Sequence, residues 1–115
     1  MRSKTELWNA IRHSSQGFKL VWKGEVAFRQ YLVFSIILIP LAFWLGDTNV
    51  ERILLVLSVL LVLLVELINT AIEAVVDRIS DEHHPLSGAA KDIGSAAVFL
   101  SIIMFLLTWI LVFFD

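Results

Sequence analysis

The sequence predicts an all-α membrane protein in which an N-terminal amphipathic surface helix precedes three transmembrane helices. Two observations predict this class: 58% of the 115 residues are hydrophobic, and the apolar residues fall in three long runs. A run of about 20 apolar residues is long enough to cross a bilayer as a helix. We therefore expect one integral-membrane domain over residues 1–115. The chain has no cysteine, which excludes a disulfide framework and a thiolate nucleophile.

The surface helix is predicted over residues 5–24. Apolar side chains recur there at helical spacing, at Leu7, Trp8, Ile11, Phe18, Val21 and Trp22, and the basic residues Arg12, Lys19 and Lys23 line the edge of that face. Tryptophan with basic flanks is typical of a helix that lies in the membrane interface. The alternative is an amphipathic helix packed on a soluble core, but the chain has little soluble sequence left to build one.

The three membrane spans are predicted over residues 28–46, 53–79 and 93–114. Pro40 lies inside the first span and can kink it. The sequence from Gly46 to Asn49 is typical of a tight turn, with Thr48 or Asn49 as the N-cap of the second span. Polar residues with Pro and Gly form the loop between the second and third spans.

The basic residues predict the orientation. Six of the nine lysines and arginines precede the first span, Arg78 and Lys91 flank the loop after the second, and Arg52 alone lies in the first turn. Basic residues favour the cytoplasmic side. We expect the N-terminus and residues 78–92 to be cytoplasmic and Asp115 to be outside. A secretory signal peptide is not expected, because a long polar region precedes the first apolar run.

A polar stripe interrupts the second span. At about 100° per residue, one helical face collects Glu66, Asn69, Thr70, Glu73 and Asp77. Ionisable residues inside a membrane are costly and usually mark a functional site. Glu66 lies about 20 Å along the helix from Ile53, past the middle of a hydrocarbon core of about 30 Å. The stripe therefore runs from lipid towards cytoplasmic water.

The acids of this stripe suggest two different roles, a general base and a ligand of a cation. A carboxylic acid held in a low-dielectric site suits a general base near neutrality, and Glu66 is the deeper candidate. Glu73 is better placed to bind a hard cation such as Mg²⁺. Glu25 comes to the same interface and could share that ion on a nucleotide. The alternatives are polar contacts between helices of an oligomer for the stripe and a solvated charge at a helix start for Glu25.

Lys91 and Asp92 precede the third span. Lys91 could neutralise phosphate oxygens while Asp92 orients it, or the pair could be a snorkelling lysine and a helix-starting acid. His83 and His84 are adjacent and have no third ligand nearby, so a zinc site is not expected. Neither G-x-x-x-x-G-K-[ST] nor G-x-G-x-x-G occurs, and the basic residues follow the membrane surface, so nucleic acid is not an expected partner.

Two classes of function fit these residues. A membrane enzyme would join a lipid to a water-soluble reagent, whereas a small oligomeric proton- or cation-coupled transporter would place its site near the midplane. The acids extend to the cytoplasmic edge, which favours the enzyme.

Three segments are similar to signature segments of the prokaryotic integral-membrane diacylglycerol kinases. They are EVAFRQ at residues 25–30, VELINTAIEAVVDRI at 65–79 and AKDIGSAAV at 90–98. The resemblance implies ATP-dependent phosphorylation of diacylglycerol to phosphatidic acid. It also implies a homotrimer with shared active sites in the bacterial inner membrane, with the active site facing the cytoplasm. The related undecaprenol kinases share these motifs, so undecaprenol is the alternative substrate.

The resemblance also implies roles for individual residues. Glu66 would be the catalytic base, Asn69 would position Glu66 and substrate, and Glu25 and Glu73 would bind Mg²⁺. The implied ATP contacts are Glu25, Glu73, Glu82, His83, His84, Lys91 and Asp92. The residues near the lipid would be Ser14, Gly17, Trp22, Arg29 and Ser95. The chain departs from the family pattern at Tyr31, where the family has an acid, and at Glu6 and His13, where it has basic and tyrosine contacts to nucleotide.

Overall fold

A computed structural model describes residues 3–79 and 84–114, and nearly all of them are helical. The helices are α1 (Lys4–Gly24), α2 (Val26–Leu45), α3 (Asn49–Ile79) and α4 (Pro85–Phe113). The last three are each long and apolar enough to cross a membrane. A helix satisfies its backbone hydrogen bonds internally, which a chain in lipid requires. The prediction of an all-α chain with three membrane spans is confirmed.

All three span helices begin earlier than predicted; α2 begins at Val26 rather than residue 28, and α3 and α4 differ more. α3 begins at Asn49 rather than residue 53, and Thr48 caps it, because the Glu51 amide donates to Thr48 Oγ1 at 3.2 Å. α4 begins at Pro85 rather than residue 93, and His84 Nδ1 accepts from the Leu86 amide at 3.1 Å. Both helices start with polar turns, which hydropathy does not detect.

The central helix of the bundle is α3, against which both α2 and α4 pack. α3 and α4 are antiparallel, since Asp77 of α3 pairs with Lys91 early in α4, and Ser58 pairs with Trp109 late in α4. Arg52 joins α2 to α3, because its Nε donates to the Phe43 carbonyl at 3.0 Å. α2 runs as one helix through Pro40.

Small polar residues lie where the spans meet. Ser35, Ser58 and Ser101 are each 7% exposed or less. Their hydroxyls donate to carbonyls one turn earlier in the same helix, those of Leu32, Leu55 and Val98. Small residues let membrane helices approach closely, and these internal bonds satisfy the buried hydroxyls.

The amphipathic helix α1 leaves its apolar face uncovered. None of its residues, all of which the structure describes, is buried, and Trp8 is 65% exposed. Its start is fixed by a capping box in which Ser3 and Glu6 exchange hydrogen bonds. Glu6, one of the departures from the family pattern, therefore has a local role in starting the helix. The prediction of a helix here is confirmed, and its position on the membrane surface stays a prediction.

Candidate active site on the central helix

Glu66 and Asn69 continue the packing stripe of α3. The buried residues of α3 are Leu55, Ser58, Val59, Val62, Glu66 and Asn69. Steps of three and four residues keep them on one side of the helix. Glu66 is 6% exposed and Asn69 is 7% exposed. Both polar side chains are therefore enclosed by protein rather than by lipid.

Helix lengths bring Glu25 level with this polar pair. α2 has 20 residues, so it is about 30 Å long, and it runs antiparallel to α3. The same distance from Asn49 along α3 ends near Asn69. The carboxylates of Glu25 and Glu73 both lie close enough to Glu66 to act on its charge. Within the described chain, the Glu25 side chain forms no capping hydrogen bond to α2. Glu25 and Glu73 thus lie in the neighbourhood of Glu66, where α1 turns away from the spans.

The Asn69 amide lies between Glu73 and helix α4. Its Nδ2 donates to Glu73 Oε1 at 3.2 Å. Its Oδ1 is buried without a hydrogen-bond partner among the described residues and faces Gly94 of α4. A rotated amide would place Oδ1 against the Glu73 carboxylate, where two acceptors repel. Glu73 and Gly94 together therefore determine how the Asn69 amide is oriented.

Lys91 is held by Asp77. Its Nζ lies 2.6 Å from Asp77 Oδ1, and the side chains are 46% and 64% exposed. Asp77 therefore takes the orienting position that the sequence suggested for Asp92, which is exposed. Ion pairs between solvent-exposed side chains contribute little to stability, so this pair orients the lysine more than it stabilises the fold. An ammonium group has three donors, which leaves Lys91 donors for phosphate oxygens.

The residues expected near the lipid fall into separate places. Ser14 and Gly17 line a groove of about 460 Å³ between α1 and α3, opposite Leu67 and Thr70. The Thr70 hydroxyl is buried and has no hydrogen-bond partner among the described residues. This groove therefore has a mainly apolar lining that includes two hydroxyl-bearing residues, Ser14 and Thr70.

Trp22, Arg29 and Ser95 lie outside that groove. Trp22 lines a neighbouring groove of about 380 Å³, and Ser95 is exposed. The Arg29 guanidinium donates to the carbonyls of Trp22 at 2.9 Å and Lys23 at 3.4 Å. A cation at a helix C-terminus satisfies free carbonyls and interacts well with the helix dipole. Arg29 therefore fixes the junction between α1 and α2.

The expected nucleotide loop is only partly described. Glu82 and His83 lie outside the described residues, and His84 caps α4. Among residues 3–79 and 84–114, no group of three or more histidine, aspartate or glutamate side chains could hold a metal ion.

Three features escaped the sequence analysis: the contact of Gly94 with Asn69, the pairing of Asp77 with Lys91, and the capping role of Arg29. The first depends on the register of α4 against α3, which no single segment specifies. The second had a usable signal, because opposite charges stand at the two ends of a short interhelical loop.

The comparisons with known proteins show the family of the chain. The family model of prokaryotic diacylglycerol kinase matches residues 12–113. The chain belongs to the prokaryotic diacylglycerol kinase family. It is 50% identical over 105 residues to a diacylglycerol kinase of Haemophilus influenzae, covering 91% of this chain and 89% of the relative. Identity to the Escherichia coli diacylglycerol kinase is 48% over 105 residues, covering 91% and 86%.

A more distant member of this kinase family is the diacylglycerol kinase of Helicobacter pylori. It is 41% identical over 103 residues, covering 90% of this chain and 80% of the relative. These relatives and the three apolar helices confirm the sequence-based resemblance and indicate a bacterial membrane protein. A lipid kinase of the diacylglycerol kinase family is therefore favoured over a transporter.

Proposed function

We propose that the protein transfers the γ-phosphoryl group of ATP to the hydroxyl of diacylglycerol, giving phosphatidic acid. The observation that carries this proposal is the buried Glu66 carboxylate at the end of the α3 packing stripe, beside Glu25 and Glu73. A buried acid close to the surface helix can meet a lipid hydroxyl from one side and a nucleotide from the other. Family membership supports the same reaction.

The chemistry assigned to Glu66 is general-base catalysis. Its carboxylate takes the proton of the lipid hydroxyl while that oxygen bonds to the γ-phosphorus. The bond from the γ-phosphorus to the bridging oxygen breaks, and ADP leaves with the electron pair. Because Glu66 is 6% exposed, little water competes for the phosphoryl group. The burial of Glu66 thus favours transfer to lipid over hydrolysis.

The residues present fit a Mg²⁺ ion bound together with nucleotide. Mg²⁺ in nucleotide sites is usually held by one or two carboxylates, phosphates and waters, and Glu25 and Glu73 supply two carboxylates. Asn69 engages only Oε1 of Glu73 in the structure. When bound, the ion would neutralise phosphate charge. Lys91, oriented by Asp77, would stabilise further charge on the transferring group.

The groove between α1 and α3 is the proposed lipid entrance. Ser14, Gly17 and Thr70 lie along it, and the exposed Ser14 hydroxyl can bond a polar part of the lipid. We place α1 on the cytoplasmic surface of the inner membrane. Lipid would then enter laterally under α1, while ATP arrives from water beside Lys91.

We also infer that the working form is a homotrimer with active sites shared between subunits. The apolar faces of the spans support association between subunits, since only 11% of the most apolar segment of α4 is buried within one chain. Subunits packed against these faces would enclose the acids more completely. The self-association and the orientation both rest on the family resemblance and on the charge distribution.

The function is tested in mixed micelles that contain diacylglycerol and undecaprenol side by side. Purified protein receives ATP labelled in the γ-phosphoryl group and Mg²⁺, and lipid products are separated. We expect the label in phosphatidic acid. Predominant undecaprenyl phosphate would reassign the substrate, and absence of any labelled lipid would reject the kinase function. A reaction without lipid measures background hydrolysis.

The surface helix provides a separate prediction. Replacing Trp8 and Phe18 with Ser should raise the Michaelis constant for lipid far more than that for ATP. Both side chains are more than half exposed on the apolar face of α1 and would anchor it over the lipid entrance. Basic residues near anionic headgroups add about 1 kcal/mol each to that anchoring. Both constants are measured on the size-selected oligomer.

The matched control replaces Phe43 and Trp44 with Ser. These two residues are 59% and 80% exposed at the opposite end of α2, far from the acids. The control should leave the ratio of the two Michaelis constants unchanged. An unaltered lipid constant in the Trp8 and Phe18 variant would show that α1 serves folding alone.

A further inference from the structure

We propose that Gly94 is a positioning residue that seats the Asn69 amide oxygen and thereby holds the Asn69 donor on Glu73. The inference rests on the proposed function for its catalytic consequence. The contact of Asn69 Oδ1 with Gly94, which we call the seat, is a packing property that can be tested without measuring activity. Gly94 lies on α4 and reaches the candidate active site through its contact with Asn69.

The reason for a glycine at this position is space. Gly94 is buried in the interior of α4, and a Cβ built there would overlap Asn69 Oδ1 and lie 3.2 Å from Asn69 Cγ. None of the glycines in the described chain has a positive φ, so an unusual backbone conformation does not require glycine. Glycine also has a lower helix propensity than alanine. The close approach of Asn69 is therefore the physical reason for Gly94.

The seat accounts for an otherwise unexplained buried acceptor. Asn69 is 7% exposed, and its Oδ1 has no hydrogen-bond partner among the described residues. The oxygen rests against the Cα of Gly94, where a weak C–H···O contact is available. This arrangement leaves Nδ2 directed at Glu73 Oε1. An oxygen displaced from the seat would take Nδ2 with it, because the amide is planar.

Helices α3 and α4 pack against each other more extensively than any other helix pair, so moving α4 away to admit a side chain at Gly94 would disturb many contacts. Lys91 bonds Asp77 on one side of this contact, and Trp109 bonds Ser58 on the other. An added Cβ is thus more easily accommodated by rotating the Asn69 side chain than by moving α4. Rotation breaks the hydrogen bond from Asn69 Nδ2 to Glu73 Oε1. The Glu73 carboxylate, which we assign to Mg²⁺, then loses the group that orients it.

The test compares Gly94→Ala with Gly88→Ala. Both glycines lie on α4 and both variants gain helix propensity, but no described atom lies within 4 Å of a Cβ at Gly88. Loss of a hydrogen bond to a charged group corresponds to about a ten- to hundredfold effect. We expect Gly94→Ala to lower kcat by that range and to raise the half-saturating Mg²⁺ concentration. Gly88→Ala should change neither by more than about twofold.

A thermal-unfolding cycle tests the seat independently of turnover. In the wild-type background, Gly94→Ala should give a lower melting temperature than Gly88→Ala. In an Asn69→Ala background the two should agree, because the clashing oxygen is gone and the Asn69 Cβ lies at an ordinary 3.9 Å. An identical difference in both backgrounds would overturn the seat. Equal kcat and Mg²⁺ dependence for the two glycine variants would overturn its catalytic consequence.

The two assays separate this inference from the proposed function. If wild-type protein phosphorylates no lipid, the kinase assignment fails while the unfolding cycle still decides whether Gly94 seats Asn69. If wild-type protein is active and the cycle shows no coupling, the inference fails while the kinase assignment stands.

Discussion

Replacing Glu66 with glutamine is expected to abolish phosphoryl transfer while the oligomer and ATP binding persist. Glutamine keeps the shape of the side chain and cannot take a proton from the lipid hydroxyl. General-base catalysis typically contributes about 10²–10⁴-fold, so at least this loss of kcat is expected. Labelled lipid product, size-exclusion profile and nucleotide binding are measured on the same preparation. Wild-type-like turnover in Glu66→Gln would remove Glu66 from the base role.

Two further variants sharpen the Glu66 test. Glu51→Gln makes the same chemical change in the first turn of α3, at the opposite end of the helix, and should retain activity. Glu66→Asp retains a basic carboxylate but shortens the side chain by one methylene, which moves the carboxylate away from the substrate. Its turnover should therefore fall between those of the wild type and Glu66→Gln. If Glu66→Asp and Glu66→Gln were equally inactive with intact oligomers, geometry rather than basicity would explain the loss.

The fold class was predictable because hydrocarbon imposes simple requirements. A span needs length and apolar side chains, and both are visible in the sequence. The helix starts were less predictable, because α4 begins with a polar turn at Pro85 that precedes the apolar run. Hydropathy detects the part of a helix that lipid surrounds, and capping residues such as Thr48 and His84 extend the helix beyond it.

The candidate site was predictable where it lies on one helix. Helical periodicity places Glu66, Asn69 and Glu73 on a common face, and the structure has the first two buried together. Contacts between helices were not predictable, because register depends on how side chains interdigitate across two surfaces. The seating of Asn69 against Gly94 is such a contact.

The proximity of Glu25 and Glu73 to Glu66 underlies the second prediction with a large expected effect, which concerns the Mg²⁺ requirement. Glu25 and Glu73 both lie close enough to Glu66 for their charges to act on it, so like charges are brought near one another at this place. Glu25 and Glu73 would hold a Mg²⁺ ion, which would offset these like charges and neutralise phosphate charge. The requirement for the ion should therefore depend on both carboxylates.

Glu25→Gln and Glu73→Gln are each expected to raise the half-saturating Mg²⁺ concentration by about tenfold or more. Loss of even an outer-shell partner typically costs 10–100-fold in metal affinity, and a directly bound charged oxygen should cost at least as much. The double variant should require still more Mg²⁺ than either single variant. Mg²⁺ titrations of lipid phosphorylation at saturating ATP measure the effect, with Glu51→Gln as the matched control on α3.

Binding of ATP in the presence of a chelator separates metal ligands from nucleotide contacts. Without Mg²⁺, the carboxylates of Glu25 and Glu73 repel the phosphates, so removing either charge should leave metal-free ATP affinity unchanged or improved. A residue that contacts the nucleotide directly would instead weaken metal-free binding when replaced. An unchanged half-saturating Mg²⁺ concentration in both single variants would place the ion elsewhere and remove Glu25 and Glu73 from the metal site.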